Sequence, residues 1–199
     1  MEYPIEMNDS LFSNDQEFDA LYPAHIQQLS RKHWTPLETS LKAAQFLAEP
    51  QAKILDIGSG VGKFCLNAAY HYPEMVYYGV EQRQDLFDLA ESAKEKVSLS
   101  NVHFIHANIT QVNFKEFDHF YYFNSFYENI DQLNGIDDTI ETSIGLYLYY
   151  CQYLFTALEE KPVGTKLVTL QSLEQEIPSC YRLVDTFRGI FLKMWIKQS

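Results

Sequence analysis

Two carboxylates bracket a run of glycines in this chain of 199 residues. The run is DIGSGVG, Asp56 to Gly62, with Gly58, Gly60 and Gly62 at alternate positions behind the apolar stretch KILDI (53–57). Glu81 follows the next apolar stretch, MVYYGV (75–80), and stands 19 residues beyond Gly62. Glycines behind a strand let a ligand approach the backbone at the carboxyl end of a parallel sheet. A carboxylate after the following strand can accept both hydroxyls of a ribose, and a hydrogen bond to a charged group contributes about 1.5–3 kcal/mol. The chemistry indicated is binding of a nucleoside. A nicotinamide fingerprint needs GxGxxG or GxGxxA, and counting from Gly58 its third position is Lys63, which argues against a dinucleotide.

Such residues need strands and helices to hold them, and the surrounding chain supplies the pattern. KILDI, MVYYGV, VHFIH (102–106) and HFYYFN (119–124) read as strands, and 62–71 and 84–98 as helices between them. That series predicts a parallel sheet with helices on both faces. Before it, Phe18, Leu21, Tyr22, Ile26 and Leu29 lie at helical spacing over 16–30. A second helix follows HWTP, with Thr35 as cap and Pro36 in the first turn, and stops at Pro50. After it come a Tyr-rich helix over about 138–158, the strand KLVTLQ (166–171), and a hairpin turning near Arg188 and Gly189. We expect one domain over 1–199, a helical extension over 1–50 and an α/β core over 51–199.

The set Asp56, Gly58, Gly60, Gly62 and Glu81, in the order strand, loop, helix, strand, acid, resembles motifs I and II of class I S-adenosylmethionine-dependent methyltransferases. The resemblance covers roughly 50–199. It implies a Rossmann-like three-layer sandwich with a seven-stranded, mostly parallel sheet and an antiparallel C-terminal strand. It implies S-adenosyl-L-methionine as cofactor, with Asp56, Gly58, Ser59, Gly60 and Gly62 at its methionine end and Glu81 on its ribose. Asn108, just after the third strand, takes the place of the residue that meets the adenine. Trp34, Thr35 and Pro36 match N-terminal lids of the family. His103 and His106 lack a third partner at ligand spacing, so no metal is expected.

FNSFYEN (123–129) follows the fourth strand, where the family places the residues that face the methyl group. Asn124 and Tyr127 fit the NPPY signature of amino-group methylators, with Ser125 and Phe126 in place of both prolines. DIGSGVG, YGVE (78–81) and Asn124-Ser125-Phe126 are also similar to the histone-lysine methyltransferases of the disruptor-of-telomeric-silencing type, which have no SET domain. The first likeness implies Asn124 and Tyr127 as catalytic residues, Asn124 also beside the cofactor, and the two together imply an amino acceptor, possibly a protein lysine. A lysine held neutral at pH 7 costs roughly 4–5 kcal/mol from a pKa of about 10.4, so a dry aromatic channel of Tyr121, Tyr122, Phe123, Phe126 and Tyr127 is expected, with Glu128 as base or cation trap. A small-molecule methyltransferase and a non-catalytic cofactor-binding protein stay open as alternatives.

Charge bears on the acceptor. The net charge is −12, with six acids and no Lys or Arg over 1–30, and nine acids and no Lys or Arg over 116–160. Such a field repels phosphate backbones and attracts cations, so a protein or small-molecule acceptor is expected and nucleic acid is not, although Arg182, Arg188, Lys193 and Lys197 cluster in sequence. Cys65, Cys151 and Cys180 form no ligand spacing and read as free thiols of a reducing compartment. With no leader and no apolar span of bilayer length, a cytoplasmic protein without membrane attachment is expected.

Overall fold

The structure, a computed structural model, describes residues 9–131, 135–189 and 191–199. Seven strands form one sheet in the order β3-β2-β1-β4-β5-β7-β6. β1 (Lys53–Ile57), β2 (Val76–Glu81), β3 (Val102–His106), β4 (His119–Phe123) and β5 (Lys166–Leu170) run parallel, and β7 (Leu192–Lys197) lies antiparallel between β5 and β6 (Tyr181–Phe187). The order reverses at β1, which lies between β2 and β4, and a crevice opens there beyond the strand ends.

Alternation along the central strands divides the core between the two faces. Ile54 and Tyr121 pack on one face with Phe18, Leu37, Leu47 and Leu66, side chains of α1 (Asp15–Asp19), α3 (Leu37–Leu47) and α4 (Lys63–His71). The same layer holds α2 (Ala24–His33) through Ile26 and α5 (Gln84–Val97) through Leu86 and Ala93. On the other face Leu55, Ile57, Phe120 and Tyr122 meet Leu154 and Leu158 of α6 (Ile144–Glu159). Among the described residues no helix is long and apolar enough to cross a membrane.

Two elements differ from the sequence pattern. The single helix expected over 16–30 is broken in two: Asn14 caps α1 by accepting from the Glu17 amide at 3.0 Å, and Pro23 heads α2. Pro23 has no N–H to continue a ladder, so the apolar spacing carries across the break without one helix. The expected helix over about 138–158 begins at Ile144, where the Ser143 hydroxyl accepts from the Leu146 amide at 3.1 Å. The residues before it are drawn away: Asp137 accepts from the Thr139 amide and hydroxyl and from Arg83.

Candidate functional site

The turn after β1 is shaped by backbone groups. The Ser59 amide donates to the Val80 carbonyl at 2.9 Å, and the Gly62 amide to the Ser59 carbonyl at 2.9 Å. Gly58 and Gly60 have φ of +71° and +54°, a region that L side chains rarely adopt. A Cβ on Gly58 would stand 2.5 Å from the Ser125 Cβ, and one on Gly60 2.5 Å from the Trp34 ring. The loop is thus pressed from one side by the segment after β4 and from the other by the N-terminal helices.

A cavity of about 910 Å³ opens beside this turn. Of the residues singled out in the sequence, Asp56, Gly58, Ser59, Gly60, Glu81, Asn108, Asn124 and Tyr127 line it together. Gly62 does not; it stands at the head of α4 against Phe104 and Ala90. Trp34 and Thr35 line the cavity, and the Thr35 hydroxyl, rather than capping the next helix, shares a 2.7 Å hydrogen bond with the Tyr121 hydroxyl. Of the five aromatic residues expected in a channel, Phe123, Phe126 and Tyr127 line the cavity. Tyr121 and Tyr122 are instead buried in the core on opposite faces of the sheet, as their adjacent positions in one strand dictate.

The two acids are nearly enclosed. Burial pushes the Asp56 carboxyl up to about 8, with Glu81 adding to the rise and the Cys65 thiol, 3.6 Å away, opposing it. Burial also raises Glu81, against the stabilising amides of Arg83 and Gly60, which donate to its two oxygens at 2.9 Å each. A carboxylate offers about four acceptor positions, so Glu81 keeps capacity for two further donors. Ser59 Oγ and Asn129 Oδ1, from two further lining residues, are buried oxygens with no hydrogen-bond partner.

Arg83 was not legible as a site residue. It is buried, and its guanidinium clasps Glu128 at 2.9 and 2.7 Å and Asp137 at 3.0 Å. Glu128, expected as a base or cation trap, is thereby the partner of a fixed cation within the protein. Asn108 is similarly engaged: its Nδ2 donates to Gln82 Oε1 and the Tyr150 hydroxyl, and its Oδ1 accepts from Thr110. At the end of β4, Asn124 has φ of +40°, and the Ser125 hydroxyl donates to the Ile57 carbonyl, tying the two loops together. His106 contacts the Gln82 carbonyl, and among the described residues no cluster of metal ligands occurs.

The basic residues near the C-terminus do not make a patch. Lys193 and Lys197 are buried, their ammonium groups donating to the carbonyls of Ser172 and Glu159, and Arg188 pairs with Glu38.

Residues 48–174 match the family described as "Methyltransferase domain". A tRNA (guanine-N(7)-)-methyltransferase of Synechococcus sp. (strain JA-3-3Ab) is 47% identical over 85 residues, 43% of this chain and 36% of the relative. One from Prochlorococcus marinus (strain NATL1A) is 33% identical over 85 residues, covering 43% and 40%. The matched segments therefore span two fifths or less of those relatives' length. TrmN from Thermus thermophilus shares the fold with a TM-score of 0.59 at 19% identity, over 86% of this chain and 52% of that one. An RNA methyltransferase from Salinibacter ruber, solved with S-adenosyl-L-homocysteine, does so with 0.54 at 18%, over 81% and 90%. The two tRNA methyltransferase relatives in sequence overturn the expectation against nucleic acid. Net charge sums the whole surface, whereas recognition depends on the local field at the site.

Proposed function

The chain belongs to the methyltransferase-domain family and is a class I S-adenosylmethionine-dependent methyltransferase, and from that premise we propose that its acceptor is a ring nitrogen of a base in RNA, with tRNA guanine the first candidate. The observation that carries this reading is the 47% identity over 85 residues to an enzyme named for that acceptor. We take residues 1–199 as one methyltransferase unit, in which the helices before β1 complete the wall of the cavity.

The residues present fit the cofactor. Glu81 has acceptor capacity for the ribose hydroxyls, and Asp56 a buried carboxyl for the ammonium of the amino-acid end. When bound, S-adenosylmethionine supplies an electrophilic methyl group on a sulfonium that leaves readily. The protein's part is then alignment, an effect that reaches effective molarities of about 10⁵–10⁸ M. Asn124 and Tyr127 would orient the acceptor from the β4 loop, while Phe123, Phe126 and Tyr127 would seat a flat ring and exclude water. Guanine N7 is an acceptor that carries no proton, so its attack needs no general base. That matches a site in which Glu128 is occupied by Arg83.

A second reading, transfer to a protein lysine as in the disruptor-of-telomeric-silencing type, rests on the local motif likeness of DIGSGVG, YGVE and Asn124-Ser125-Phe126. Incubation of the purified chain with methyl-labelled S-adenosylmethionine and separated tRNA, protein and small-molecule pools decides between them. Label in tRNA, recovered as a methylated purine after nuclease digestion, is expected. Label confined to protein or to small molecules would overturn the RNA reading.

A further inference from the structure

Lys63, the residue that departs from the dinucleotide pattern, is buried, its side chain only 2% exposed. Its ammonium donates to Asp19 Oδ1 and Asp15 Oδ1 at 2.7 Å each and to the Ser30 hydroxyl at 3.1 Å, which occupies all three of its protons. All three partners lie in α1 and α2. The same Asp15 oxygen accepts from the Leu37 amide at 3.0 Å, at the start of α3. One carboxylate oxygen therefore joins the end of the glycine loop to the corner Trp34-Thr35-Pro36.

That corner bears on the cavity directly: the Trp34 ring lies where a Cβ on Gly60 would be, and the Tyr22 hydroxyl donates to the Val61 carbonyl at 2.9 Å. Gly60, Val61 and Lys63 are each gripped by the N-terminal helices. Those helices, residues 15–47, lie wholly ahead of the segment 48–174 that matches the family. The clamp is thus built by a part of the chain that the family domain does not itself contribute.

We propose that Lys63, acting through Asp15 and Asp19, is a positioning residue that seats Trp34 on the glycine loop and so sets how tightly the cofactor is retained. The proposal rests on the cofactor reading above. A helix pair docked by apolar contacts alone can slide, whereas an ammonium satisfied by three fixed oxygens admits one arrangement. Any loosening of the N-terminal helices then reaches Gly60 and Lys63 together.

The test is S-adenosylhomocysteine binding by calorimetry with hydrogen exchange of the intact chain. Lys63→Met is expected to raise the dissociation constant about fivefold, within the range for residues acting through others, and to quicken exchange at 34–37 and 60–63. Asp15→Ala, at a half-exposed position, is expected to do the same by roughly threefold, and it decides the matter where Lys63→Met does not fold. A purely structural role would lower the melting temperature and leave affinity within about twofold of wild type, which overturns the proposal. Failure of the wild-type chain to bind the probe overturns the cofactor-site reading, and the positioning role with it.

Discussion

Arg83 grips Glu128 with two parallel hydrogen bonds, 2.9 and 2.7 Å long, and so joins the ends of β2 and β4 across the cavity. The side chains are 3% and 13% exposed, so water screens the pair poorly. Breaking a buried pair by removing one partner costs about 3–5 kcal/mol, and the lower end applies here because Glu128 can turn outward. Arg83→Met is therefore expected to lower stability by about 3 kcal/mol in denaturant unfolding. Glu128→Gln, which keeps one acceptor, is expected to cost less. A Glu128→Gln enzyme retaining most of its methyl transfer would bear out a structural rather than a basic role for that carboxylate.

Gly58 and Ser125 press against each other, and substitution tests the contact. Gly58→Ala meets Ser125 Cβ at 2.5 Å and takes a left-handed φ that costs roughly 1–2 kcal/mol for an L residue. We expect it to lower stability and to weaken S-adenosylhomocysteine binding. Ser125→Gly removes the collision, leaves the φ cost and gives up the Ser125–Ile57 hydrogen bond, so Gly58→Ala should cost less in the Ser125→Gly background than in the wild type. An equal cost in both backgrounds would show that the contact carries no energy.

The strands that hold the cavity were legible because burial imposes short apolar runs: β1 and β3 fall on the residues expected, β2 is displaced by one residue at both ends, and β4 ends one residue earlier. Asp56, Gly58, Gly60 and Glu81 stood out in the sequence by type and spacing and do line the cavity together, whereas Gly62, read with them, does not. Lys63 and Arg83 were not legible, since each finds its partners 33 to 54 residues away, through tertiary packing that no local pattern encodes. The start of α6 was missed for the same reason, because Asp137 follows Arg83 rather than the helix. The expectation against nucleic acid failed because a sum over charged residues says nothing of where they lie, and several of the acids are matched in ion pairs within the protein.

Asp56 is expected to make cofactor binding depend on pH. Burial lifts its carboxyl from 3.8 to about 8, so the free protein holds it neutral at pH 7. A bound ammonium favours the ionised form, and binding must then release a proton. S-adenosylhomocysteine affinity is expected to rise between pH 6 and about 8 and to flatten above, with proton release visible as a buffer-dependent heat. The sign for folding is opposite: the raised acid contributes stability that is present below about 4 and lost as pH rises through about 8. Asp56→Asn should abolish both slopes and weaken binding. An affinity independent of pH in the wild type would exclude an ionising Asp56 from the site.

Phe191 is expected to serve acceptor binding and not cofactor binding. It lines the cavity with 60% of its surface exposed, an arrangement that contributes little to the core. A base lifted from its stack needs a new face to pack on, and stacking on an aromatic side chain is worth about 1–3 kcal/mol. Phe191→Ala is accordingly expected to raise the KM for tRNA by roughly fivefold to a hundredfold, with S-adenosylhomocysteine affinity and unfolding stability nearly unchanged. Phe191→Trp, which offers a larger face, should restore the lower KM. The contrast also tests the acceptor class, since a lysine side chain reaching the same mouth gains no comparable stacking. Equal KM values for wild type and Phe191→Ala on tRNA would remove this ring from the acceptor site and leave the cofactor half untouched.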